Sequence, residues 1–235
     1  MTKRKDKLGR RGGGSGGGRP IAGATAPRGS ERQRGGLRSP GKGAAGRNLW
    51  LFGVHGVLAA LANPNRRLNR LLPPAEAAQP WGPRLRAKRH ATHANLGSET
   101  VQRREIDALL PEGAVHQGLA LLSAPLEQPA LEDLLVQENP AAGGLPRRVI
   151  VLLDQVTDPH NVGAVLRSAA AFGALAVVAL DKGAPEESGT LAKSASGALE
   201  VVPYISVVNL ARSLDQLKDS GFWCLGLAGE ASESL

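Results

Sequence analysis

RVIVLLDQVTDPHNVGAVLRSAAAFGALAVVAL, residues 148–180, decides the fold. Val149–Leu153 is an unbroken apolar run of strand length, the texture of a strand covered on both faces in a parallel sheet. A polar loop, Asp154–His160, leads into a helix from about Val162 to Phe172, which Gly173 stops. A second apolar strand, Leu175–Leu180, follows at once. Strand, loop, helix and strand in this order form a βαβ unit. The loop then lies at the carboxyl end of the first strand, where open α/β sheets bind ligands.

The 19 residues of Val162–Leu180 are long and apolar enough to raise a membrane span, but Arg167 falls inside the stretch and Gly173 interrupts it. A buried helix running into a buried strand accounts for the same residues without a charge in lipid. The N-terminus has no apolar core of a secretory signal, so a soluble protein is expected. Its one cysteine, Cys224, lies in the apolar run Phe222–Leu227, which predicts a buried thiol in a reducing cytoplasm.

Downstream, the pattern predicts a helix near Ser188–Ser196 and a short strand over Glu200–Val202. A helix over Val207–Asp219 and a strand over Phe222–Leu227 follow. The whole of 148–235 therefore reads as a doubly wound α/β domain. Upstream, residues 125–147 are rich in Pro, Ala and Gly and read as a linker, with a helical turn around Leu131–Val136. Residues 48–124 read as a smaller α/β domain. Its predicted elements are strand Leu49–Val54, helix His55–Ala62 ended by Asn63-Pro64, and a basic helix-prone stretch Arg84–His93. Helix Arg103–Leu110 and strand Gln117–Ser123 complete it.

Residues 1–47 hold 14 glycines and a net charge of +11, whereas the remaining residues sum to −3. Such a segment cannot bury enough surface to offset the entropy of ordering, so it is expected to be a disordered basic tail. It suits either a phosphate-tracking arm or a solubilising tail. Aromatic residues make up 3% of the chain, too few for base stacking to dominate nucleic-acid binding.

Within Asp154–Ser168, Asn161 is placed to cap the helix. Gly163 and Arg167, four apart, share a face on which the small residue clears space beside the guanidinium. Arg167 can clamp a phosphate bidentately, or it can pair with Asp154 or Asp158 in a purely structural role. His90 and His93 have no partner cysteines or acids at ligand spacing, so no metal site is expected. His160 beside Asn161 suits either a substrate contact or a loop-ordering hydrogen bond. No glycine fingerprint of a dinucleotide enzyme follows the first strand.

Asp-Pro-His-Asn-Val-Gly-Ala-Val-Leu-Arg-Ser-Ala (158–169) resembles the first signature motif of the SpoU/TrmH methyltransferases of the SPOUT superfamily. Gly53-Val-His-Gly-Val57, Gly113-Ala-Val-His-Gln-Gly118 and Ala192-Lys-Ser-Ala-Ser-Gly-Ala198 are similar to the branch acting on a guanosine in the peptidyl-transferase region of 23S rRNA. Asn209-Leu-Ala-Arg212 and Gly226-Leu-Ala-Gly-Glu230 carry the same likeness, which runs in order from about Trp50 to Ser234. The resemblance implies an L30e-like α/β domain that grips RNA, followed by an α/β domain with a trefoil knot. It implies S-adenosylmethionine as cofactor, ribosomal RNA as partner and a homodimer as the working form. Asn161 and Arg167 then carry the catalytic first motif, and Leu227, Ala228 and Gly229 border the cofactor. Lys88, Arg89, His116 and His160 are the RNA-binding candidates. The family's second and third motifs do not occur before Leu235, so the knot domain is expected to be incomplete and this polypeptide inactive. The alternative of another class is a non-catalytic RNA-binding protein built from the same domains.

Overall fold

Val54–Ala62 forms a helix because Gly53 before it adopts φ +83°, a turn that L side chains rarely make, and Asn63-Pro64 ends it. This helix, α1, follows strand β1 (Leu49–Phe52). The computed structural model describes residues 48–73, 78–136 and 148–228. The basic tail, residues 137–147 of the predicted linker and Gly229 lie outside those residues.

The first half continues with β2 (Leu68–Leu72), α2 (Ala78–Lys88), β3 (Gly97–Ser98), α3 (Arg103–Asp107) and β4 (Ala120–Ser123). Its four strands lie in the order β1-β4-β2-β3, with β4 antiparallel to both neighbours and β2 parallel to β3. Strand β2 was not expected from the sequence. Leu71 and Leu72 point to opposite faces and are both buried, because one apolar cluster covers Leu71 and a different one covers Leu72.

After the predicted turn, α4 (Leu131–Val136), come β5 (Ile150–Leu153), α5 (Pro159–Ala171), β6 (Ala176–Leu180), α6 (Gly189–Ser194), β7 (Tyr204–Val207) and α7 (Leu210–Asp219). The three strands form a parallel sheet, β5-β6-β7. β6 is central, and Ala176–Ala179 are all buried. β5 is an edge among the described residues, and Val149 just before it is 47% exposed. An apolar run identifies a parallel strand but not its place in the order, so the expected two-sided cover belongs to β6 instead.

Four further corrections have local causes. Asp158, not Asn161, caps α5: its carboxylate accepts from the His160 N–H at 2.9 Å, and Pro159 takes the first helical position. Glu200–Val202 is not a strand, because Ser196 and Gly197 at φ +51° and +96° wind Ala198–Glu200 into a 3-10 turn. The strand begins later, at Tyr204. Phe222–Leu227 has apolar character but pairs with no strand among the described residues, and a strand exists only through its ladder. Cys224 is accordingly exposed, not buried.

One apolar cluster runs through both sheets, joining Leu51, Val57 and Leu121 to Leu153, Val177 and Leu191. A second packs Leu131 and Leu134 of α4 against Ala176, Val178, Ile205 and Leu217. No helix among the described residues is long and apolar enough to cross a membrane.

Candidate functional site at the α5–α6 contact

His160, Gly163 and Arg167 are three and seven residues apart on α5 and therefore share one face, spread over about 10 Å of helix. The last residue of α6, Ser194, is seated on that face. A Cβ at Gly163 would lie 2.4 Å from Ser194 Cβ and 2.8 Å from its carbonyl carbon, so only glycine permits this approach. The cleared space holds the end of α6, and the guanidinium lies beside it.

Ser194 touches the side chains at both ends of the stripe. Its hydroxyl meets His160 Nδ1 at 2.8 Å, and its carbonyl accepts a hydrogen bond from Arg167 Nη1. That carbonyl is one of the last-turn groups left without an intrahelical partner. Neither Asp154 nor Asp158 pairs with Arg167; Ser194 takes the place of both. Arg167 and His160 remain exposed, so the other guanidinium donors and His160 Nε2 face solvent. Asn161 is also exposed and makes no side-chain hydrogen bond among the described residues.

The neighbouring residue of α6 reaches the other half of the chain. Lys193 Nζ donates to the Val115 carbonyl at 2.6 Å and stands 5.7 Å from the centre of the Phe52 ring. Val115 lies in the loop Gly113–Gly118, which His116 holds in shape. His116 is fully buried: Nδ1 accepts from the Gly118 N–H at 3.1 Å, leaving Nε2 to donate to Asp107 Oδ1 at 2.9 Å. It supports the loop from beneath and offers no surface to a ligand. Gln117, at φ +54°, turns its side-chain oxygen onto the Val54 N–H at 3.1 Å, fixing the start of α1.

Close backbone contact holds α6 in this place. A Cβ at Gly189 would lie 2.2 Å from the Trp50 carbonyl oxygen, and one at Gly197 would lie 2.8 Å from Ala59 Cβ. Behind the contact, the two halves share a buried ionic cluster. Arg66, 1% exposed, reaches Glu187 at 2.6 Å and Glu200 at 3.1 Å, and donates to Ser123 Oγ. Asn63 Nδ2 donates to the second Glu200 oxygen at 2.8 Å. Burial raises the Glu200 carboxyl above its ordinary range, and Arg66 and Asn63 only partly oppose that. Nothing in the composition of Asn63–Arg67 foretells this cluster, since a lone Arg near a turn reads as solvated.

The remaining candidates lie apart. Lys88 is exposed at the end of α2, and the half-buried Arg89 donates to the Leu96 carbonyl at 3.4 Å. No contact joins either to Arg167. Leu227 and Ala228 lie beyond α7, both exposed, Leu227 at 76%. Among the described residues, no group of three or more His, Cys, Asp or Glu is placed to hold a metal ion.

Residues 148–235 match the SpoU rRNA Methylase family. The chain is 36% identical to the 23S rRNA (guanosine-2'-O-)-methyltransferase RlmB of Xylella fastidiosa over 192 residues, 80% of this chain and 74% of that protein. It is 36% identical over 189 residues to the protein of that name from Pseudomonas putida, covering 79% and 72%. Among solved structures, the SpoU methyltransferase AviRb from Streptomyces viridochromogenes in complex with AdoMet superposes with a TM-score of 0.56 at 18% identity, covering 73% of this chain. An RNA 2'-O ribose methyltransferase superposes at 0.54 with 21% identity. The chain spans about 60% of the length of these solved structures.

Proposed function

We propose that this chain, which belongs to the SpoU rRNA methylase family, serves S-adenosylmethionine-dependent methylation of a ribose 2'-hydroxyl in RNA, at a guanosine of 23S rRNA. The observation that carries this is the exposed pair of His160 and Arg167 on one face of α5, both held by Ser194, with Asn161 exposed beside His160 in the first turn. The loop that leads into α5 leaves the carboxyl end of β5, and the pair carries donors suited to a ribose–phosphate unit.

Bound S-adenosylmethionine supplies a methyl group on a positively charged sulfonium. The residues beyond α7 fit part of its enclosure: Leu225 and Leu227 are apolar and exposed, and no hydrogen bond engages the backbone of Trp223–Ala228 among the described residues. Leu227, Ala228 and Gly229 are the residues assigned to it. The chain's own chemistry concerns the attacking hydroxyl. As the 2'-oxygen attacks in line, its proton passes to solvent water at this exposed site and negative charge develops on it. The positively charged Arg167 guanidinium orients the ribose or phosphate and stabilises that charge. Removing a proton is not its task.

Lys88 and Arg89, on the first half, are assigned to phosphate contacts that position the RNA without reading its sequence. The working form is assigned as a homodimer, with Trp223, exposed by 95%, as apolar surface for a second copy. The test is transfer of labelled methyl from S-adenosylmethionine to a 23S rRNA fragment spanning the peptidyl-transferase region. One guanosine should become resistant to alkaline cleavage on its 3' side. Label on a base instead of a ribose would refute the assignment.

A further inference from the structure

We propose that Ser194 is a positioning residue for RNA: seated over Gly163, it holds His160 with its hydroxyl and Arg167 with its carbonyl, and presents both to one ribose–phosphate unit. This rests on the reaction proposed above and adds to it a residue outside the first motif.

Three observations carry it. The stripe His160–Gly163–Arg167 is bare in the middle and has polar side chains at its ends, and Ser194 fills the gap. Each polar group that Ser194 offers to the stripe is used on one of those side chains, at 2.8 Å for His160 Nδ1 and through the carbonyl for Arg167. Both held side chains are nonetheless exposed, so the contact orients them without removing them from solvent.

A packing role alone does not require this arrangement. Exposed Arg and His side chains lose rotamer freedom when held, and nothing buried is gained in return. Holding them becomes favourable once a ligand uses the remaining donors, because the ordering has then been done before binding. His160 is fixed from two sides, by Ser194 at its ring and by Asp158 at its backbone. The same turn of α6 is tied through Lys193 to Val115, so the pair is also held relative to the first half of the chain.

The test is a double-mutant cycle on the full chain, with affinity for the labelled 23S rRNA fragment as readout. Ser194→Ala removes the hydroxyl and keeps the carbonyl. We expect it to weaken binding by about five- to tenfold, as His160→Ala does. Because the hydroxyl acts through the ring, the double variant should be no weaker than His160→Ala alone. Ser194→Thr, which keeps the hydroxyl, should bind like the wild type. In the free protein, the His160 ring nitrogen resonances should move in Ser194→Ala and stay in Ser194→Thr. Additive losses, or unmoved His160 resonances, would overturn the proposal. Methyl transfer by the wild type, measured in parallel, separates this from the reaction itself. A cycle that holds while label enters a base refutes the reaction and leaves the positioning role, and an additive cycle with label on a ribose does the reverse.

Discussion

Gly163 and Ser194 meet backbone to backbone: the hydrogen that glycine carries in place of a Cβ is what lets α6 end on the face of α5. Gly163→Ala is therefore not a mild change. The added methyl would lie 2.4 Å from Ser194 Cβ and 2.9 Å from the Ala195 nitrogen, and backbone cannot swing aside as a side-chain tip can. Overpacking of this kind costs about 1–3 kcal/mol. The better helix propensity of Ala returns about 1 kcal/mol at most. Thermal unfolding of the variant should show a lowered midpoint, and RNA affinity should fall with it as Ser194 is pushed away from Arg167. An unchanged midpoint would mean that α6 does not rest on α5.

In a chain that carries the family's second and third motifs, Arg167→Ala is expected to lower turnover by about 100- to 1,000-fold, the range found when one donor to a developing oxyanion is removed. Affinity for S-adenosylmethionine should change far less, since the guanidinium faces the Ser194 carbonyl and solvent. Arg167→Lys should rescue poorly. A lysine that keeps the Ser194 contact has no planar fork left for a ribose or phosphate. Turnover at saturating RNA, with cofactor affinity measured separately by calorimetry, checks both points. Near-normal turnover in Arg167→Ala would leave the residue a structural role only.

The elements around Arg167 were legible in sequence because local rules govern them. Pro159 and Gly173 bracket α5, and the apolar run of β6 is long and bounded. The cap was misplaced by three residues, since Asn161 and Asp158 are both competent and only Pro159 at the first helical position decides between them. Ser194 stayed invisible as a partner of Arg167 because 27 residues separate them and a serine at a helix end reads as an ordinary terminus. Arg66 was missed for the same reason, with its carboxylates 121 and 134 residues away. The motif marks His116, but its inward orientation depends on Asp107, which the motif does not contain.

Arg66 is predicted to be the most costly single truncation in the seam. Arg66→Met leaves Glu187 and Glu200 buried without their counter-ion, a change of the kind that costs about 3–5 kcal/mol. Glu200 adds a pH signature. Its folded carboxyl titrates above the ordinary value of 4.5, so between those two points the folded state binds more protons than the unfolded one. Stability from this group is therefore present below about pH 4.5 and is lost as pH rises through the folded value. Glu200→Gln, which keeps an acceptor for Asn63, should flatten that part of the profile. Urea midpoints of wild type and variant across the pH series decide it: parallel curves would place the proton elsewhere.

The arm is predicted to supply affinity for RNA with little selectivity. Residues 1–47 carry +11 and the rest −3, so deleting them reverses the sign of the net charge. Contacts from Lys and Arg to phosphates carry no sequence information. On single-stranded RNA each neutralised phosphate contributes roughly −0.7 to the slope of log affinity against log salt. If about four to six of the arm's basic residues engage together, deletion should flatten that slope by about 3 to 4 units. Fragments with and without the target loop should then lose affinity nearly in parallel, because the arm reads only charge. The site at α5 and α6 behaves differently: Ser194→Ala should weaken the fragment with the target loop more than the one without it, and should leave the salt slope almost unchanged. A salt series on both fragments, with the arm deletion and Ser194→Ala side by side, separates the two contributions. An unaltered slope after deletion would reduce the arm to a solubilising tail.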